Sequence, residues 1–69
     1  VDKEPDEQQS QEILKGLMSG VDVSVYADTS YDYKQMEQIR LGLESGMDVT
    51  PLLNIHMSAD DMEKIRLGL

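Results

Sequence analysis

The stretch Ile13 to Val23 (ILKGLMSGVDV) agrees with Ile39 to Val49 (IRLGLESGMDV) at seven of eleven positions, at an offset of 26. Met36 to Leu43 (MEQIRLGL) returns as Met62 to Leu69 (MEKIRLGL) at seven of eight, with the same offset of 26. A repeat this short describes one supersecondary unit, too small to bury its own apolar face, so the core has to form between neighbouring units. The 69 residues then divide into a leader at 1–5 and one helical-repeat domain at 6–69, made of units 6–31 and 32–57 and a partial unit 58–69.

Each unit marks a helix start in the same place. Asp6, Asp32 and Ser58 stand one repeat length apart, and each is followed three positions later by Gln9, Gln35 or Asp61. A short oxygen-bearing side chain accepts the orphan amides of a first turn and a longer one reaches back, so all three resemble a capping box. Helices are expected over 7–19, 33–45 and 59–69. Gly20 and Gly46 close the first two, because glycine tolerates the left-handed conformation at a helix end. Within the second helix Tyr33, Met36, Ile39 and Leu43 form one apolar stripe, repeated by Met62, Ile65 and Leu69. The first helix keeps Ile13 and Leu17 but has Glu7 and Ser10 for Tyr33 and Met36, as suits a solvent-facing first unit.

The segments at 21–27 and 47–53 are ambiguous. Val21, Val23 and Val25 alternate with polar or aromatic residues like a half-buried strand. The second copy instead carries Thr50-Pro51, which reads as an N-cap followed by proline at the first helical position. Ser24 and Thr50 are therefore expected to cap a one-turn helix, with a two-stranded ribbon as the alternative. Gly16, Gly42 and Gly68 fall inside the expected helices, where glycine costs roughly 1 kcal/mol against alanine. Either another backbone passes close to them or a tolerated glycine was copied by duplication. Leu41 and Leu67 lie about 140° from the main stripe, which suits a helix with neighbours on two sides.

The strings YDYKQMEQIRLGLESGMDV and SADDMEKIRLGL, with VDVSVYA between units, resemble the short tandem repeats of uncharacterised proteins from gut-type Gram-positive bacteria, often encoded near mobile-element genes. The resemblance covers nearly everything from Gln11 onward. It implies an all-helical repeat module and nothing catalytic. The second linker departs from the pattern, with TPLLNIHM in place of SVYADTSY. Any role tied to Tyr26 and Tyr31 would be missing from that copy.

Composition narrows the chemistry. There is no cysteine, so disulfides and thiolate metal sites are excluded, and the single His56 cannot hold zinc alone. Asp28, Ser30 and Asp32 have the spacing of the first calcium-loop ligands, but Tyr33 replaces the turn glycine and Ile39 the closing glutamate. Asp32 is better read as a cap, and Asp22 and Asp48 as turn aspartates bonding nearby amides. His56 has no nucleophile or second base in a catalytic spacing and reads as a loop side chain. The pairs Gly16/Gly20 and Gly42/Gly46 match a membrane-helix spacing, yet no segment approaches the ~20 apolar residues that span a bilayer. The N-terminus lacks the pattern of a signal peptide, and a cytoplasmic location is expected. No cofactor, metal, small-molecule substrate, membrane or direct nucleic-acid partner is expected.

Fourteen acidic against six basic side chains give a net charge of −8. Half of it sits in residues 1–12, where Asp2, Glu4, Asp6, Glu7 and Glu12 outweigh Lys3. Residues 1–5 read as a flexible acidic lead-in. Arg40 and Arg66 flank the stripe and are expected to lay their stems across it with the charge exposed. The sequence thus points to an all-α, non-enzymatic helical repeat module for protein–protein interaction or structural spacing. Its candidate surface is Arg40, Leu41, Arg66, Leu67 and Leu69, meeting another protein or a second copy at an open C-terminal helix end. An acidic nucleic-acid mimic, like the anti-restriction modules of mobile elements, is the alternative.

Overall fold

The computed structural model describes residues 4–68, so Leu69 and residues 1–3 of the expected leader lie outside the described residues. Three helices form, α1 (Glu7–Ser19), α2 (Tyr33–Glu44) and α3 (Ala59–Leu67), and no strand occurs among the described residues. The fold is all-α.

Local chemistry explains the starts. The Asp6 carboxylate accepts the Gln9 amide N–H at 2.8 Å while Gln9 Oε1 accepts the Asp6 N–H at 3.0 Å. Asp32 and Gln35 repeat both bonds at 2.8 Å. The third start is only half a box, which corrects the expectation of three: Ser58 Oγ accepts the Asp61 N–H, but the shorter Asp61 side chain makes no return bond to the Ser58 amide. The two later helices also end early. Ser45 is the flanking residue of α2, with Gly46 at φ 81° beyond it. Gly68 takes a left-handed φ of 78° and terminates α3, so it does not lie inside a helix as expected. Gly20 closes α1 at φ 82°, as its position after the last helical residue requires.

Both linkers contain a 3-10 turn, Val23–Val25 and Thr50–Leu52, and neither forms a ribbon. Asp22 flanks the first turn and caps it in place of Ser24; the second turn is flanked by Val49 and has no side-chain cap, so Thr50 does not cap it either. Asp22 accepts both the amide and the hydroxyl of Ser24, and Asp48 does the same for Thr50 at 3.0 and 2.7 Å. A carboxylate two positions upstream accepts both donors at once, and the hydroxyl is itself one of the donors it binds. The Thr50 hydroxyl, followed by its amide, holds the Asp48 carboxyl below the usual carboxylate range.

The central helix is α2, packed against α1 on one side and α3 on the other. The molecule measures 38 × 26 × 16 Å, and its thinnest dimension is little more than one helix diameter of ~10–12 Å. Tyr26, Tyr31, Met36, Ile39, Val49, Leu52 and Met62 are buried, with Ile13, Leu43 and Met47 packed against them. Full burial of side chains such as Met36, Ile39, Leu52 and Met62 stabilises the fold by roughly 1.5–3 kcal/mol each. The stripe is best covered on α2, where Met36 and Ile39 are fully buried and Tyr33 and Leu43 half-buried. Leu17 is 58% exposed and Ile65 39%, because α1 and α3 each have one helical neighbour rather than two.

Gly16 and Gly42 answer to a close approach, but of side chains rather than the backbone expected. A Cβ on Gly16 would collide with the Tyr26 hydroxyl and lie 2.7 Å from Val23 Cγ1; one on Gly42 would lie 2.7 Å from Val49 Cγ1. In both places the chain turns back after the glycine cap and lays its linker valine on the helix it has just left. No described helix is long and apolar enough to cross a membrane.

Candidate interaction surfaces

The most organised polar chemistry lies in the joints between helices. On α1, the Gln9 side-chain amide donates to the carbonyls of Thr29 and Tyr31 at 3.3 and 2.6 Å, anchoring the segment that leads into α2. On α2, Gln35 donates to the carbonyls of Ile55 and Met57 at 3.0 and 2.6 Å, anchoring the segment that leads into α3. Donors and acceptors both advance by 26 positions. Each glutamine is thus cap and anchor at once, its oxygen bonded to its own helix start and its nitrogen to the next segment.

A second contact recurs one turn later. Arg40 Nε donates to Glu12 Oε1 at 2.9 Å across the α1–α2 joint, and Arg66 Nε donates to Gln38 Oε1 at 2.9 Å across the α2–α3 joint. The first joint is charged and more elaborate. Arg40 also donates to Glu44 at 2.6 Å, Glu44 accepts from the Ser19 hydroxyl at 2.9 Å, and Lys15 lies 3.3 Å from Glu12. The Tyr26 hydroxyl, in the fully buried corner beside this cluster, donates to the Glu12 carbonyl at 2.7 Å. Burial opposes the charge on Arg40, but hydrogen bonds to Glu12 and Glu44 outweigh it and raise its pKa. The bond from Arg40, then that from Ser19, holds the Glu44 carboxyl below the usual carboxylate range. Burial pushes the Tyr26 and Tyr31 phenols up.

This arrangement corrects the expected role of Arg40. Its side chain is buried and bonded to two carboxylates of its own chain, so its charge is not displayed to a partner. Arg66 is partly covered, bonded to Gln38 and 3.9 Å from Glu63. Leu41 is half-buried, Leu67 is exposed and Leu69 lies outside the described residues. Of the four expected surface residues that are described, only Leu67 is exposed, so they do not form one exposed patch. Glu12 and Gln38, which make the joints, were not singled out from sequence, although two side chains of similar shape 26 positions apart carried the signal.

Exposed apolar side chains collect on the outer helices. Leu14, Leu17 and Met18 stand out from the C-terminal half of α1, and Ile65 and Leu67 from α3, with Leu53 and Ile55 on the second linker. At the positions where α2 carries Arg40 and Glu44, α1 carries Leu14 and Met18. His56 is an exposed loop residue whose amide bonds Asn54. Asp28 accepts the Ser30 amide and Asp32 caps α2, so the calcium-like spacing is taken up by turn chemistry. Among the described residues no three His, Asp or Glu side chains converge as a metal site requires, and no pocket opens. Comparison of the chain with protein-family models, with curated proteins and with solved structures gives no match.

Proposed function

We propose that this chain is a non-enzymatic helical repeat module, working in the cytoplasm in protein–protein interaction or structural spacing. The observation that carries the reading is the pair of joints at equivalent positions of successive units. Gln9, Glu12 and Arg40 at one joint, and Gln35, Gln38 and Arg66 at the other, are all engaged in cohesion between helices. Among the side chains that the outer helices leave to solvent are large apolar ones, Leu14, Leu17 and Met18 on α1 and Ile65 and Leu67 on α3, set among polar neighbours. Apolar side chains clustered on a helix face fit a macromolecular partner better than a small polar substrate. The resemblance to tandem repeats of mobile-element-associated bacterial proteins accords with this reading. The nucleic-acid mimic has the net charge of −8 behind it and no second observation.

Affinity purification of the intact protein tests the proposal, run beside L14S/L17S/M18S and I65S/L67S variants whose helical circular dichroism is unchanged. A protein partner retained by the wild type and lost from one of the two variants is expected. Retention unaffected by both would count against it.

A further inference from the structure

We infer that the two ends of the stack are chemically mismatched, so that the chain does not extend itself by end-to-end addition of further copies. The joints define what one helix must offer the next. Its forward side needs an amide donor at the Gln9/Gln35 position and an oxygen acceptor at the Glu12/Gln38 position. The following helix must bring an arginine, as Arg40 and Arg66 do.

On α3 both forward groups are reversed. Asp61 takes the place of Gln35 one repeat later and offers an acceptor where a donor is needed; Lys64 takes the place of Gln38 and offers a donor where an acceptor is needed. On α1 the arginine is absent, because Leu14 occupies the position equivalent to Arg40, and Met18 the position equivalent to Glu44. Were α1 of a second copy to settle on α3 in the register of the internal joints, Lys64 would face Leu14, and its ammonium would lose water without gaining an acceptor. The Asp61 carboxylate would stand where both internal joints place a donor, facing the carbonyl of Pro5, the equivalent of Tyr31 and an acceptor like itself. Three positions, on two helices, thus oppose the same event, while the two internal joints satisfy it. A face that joins α3 in this register has to bring an acceptor to Lys64 and a donor to Asp61, which is the opposite of what α2 and α3 bring to their own predecessors.

The test converts each end separately. A D61Q/K64E chain regains the forward amide and acceptor, and an L14R/M18E chain regains the arginine and its neighbouring carboxylate. All four positions are exposed, and circular dichroism checks that both variants keep their helices. In sedimentation velocity the mixed pair should form a 1:1 complex at least about tenfold tighter than wild-type self-association, with neither variant alone exceeding the wild type. The inference is overturned if the mixed pair binds no more tightly than wild type with itself, or if the wild type already associates as tightly as the pair.

Discussion

Arg40 reaches back across the α1–α2 joint to place its Nε 2.9 Å from a carboxylate oxygen of Glu12, and both side chains are buried there. The pair is not isolated, because Glu44 holds the other side of the guanidinium. Removing one partner therefore differs from replacing it with a neutral one. E12A should destabilise by about 3 kcal/mol, since a buried charge loses one of its two carboxylates. E12Q should cost under about 1 kcal/mol, because the amide oxygen still accepts, as Gln38 does for Arg66. Urea denaturation of the three chains measures both differences.

The anchoring glutamines offer a second handle. Gln35 donates to two carbonyls of the segment entering α3, and its oxygen completes the α2 cap. Q35A should cost about 1–3 kcal/mol. Q35E keeps the cap oxygen but points a carboxylate at two carbonyls, so it should recover little. Hydrogen exchange should show faster opening around Met57 in both variants, and a Q35E chain as stable as the wild type would contradict the anchor role.

Gly16 has no room for a side chain because the Tyr26 hydroxyl and Val23 occupy the space. G16A should destabilise by about 1–3 kcal/mol despite alanine's better helix propensity. Y26F alone should lose about 1 kcal/mol with its bond to the Glu12 carbonyl. Combined, the two should cost less than their sum, since the phenylalanine removes the atom with which the new methyl collides. Thermal unfolding of the single and double variants completes the cycle, and strict additivity would refute the proposed collision.

Stability should also depend on pH at both extremes. The Glu44 carboxyl is held below its ordinary value of 4.5, so its contribution is present above that pH and is lost as pH falls through the folded value. Tyr26 is raised above its ordinary 10.0, so its contribution is present below pH 10 and is lost as pH rises through the folded value. Urea midpoints should fall at both ends. E44Q should flatten the acid limb, and Y26F should flatten the alkaline limb without touching the acid one.

The helices were legible in the sequence because their signals are local: Asp6 with Gln9 and Asp32 with Gln35 sit within one turn, and Gly20 follows the last helical residue of α1. The linker caps were half legible. Asp22 and Asp48 were visible as turn residues, but Ser24 and Thr50 read as caps and their hydroxyls instead donate to those aspartates. The fate of Arg40 was not legible, because its burial depends on Glu12, far back along the chain and on another helix. The same holds for Leu17 and Ile65, which match half-buried Leu43 and fully buried Ile39 of α2 in sequence and are exposed because the neighbour that covers α2 has no counterpart there. Periodicity says which face is apolar and is silent about how many neighbours that face will find.

If the two joints are equivalent positions of one repeating unit, their acceptors are interchangeable. The direct measurement is the urea unfolding of an E12Q/Q38E chain, which moves the carboxylate from the first joint to the second and leaves composition unchanged. Cooperative unfolding with stability within about 1 kcal/mol of the wild type is predicted, each arginine again meeting a side-chain oxygen. Loss of the cooperative transition, or destabilisation as large as that of E12A, would contradict the account.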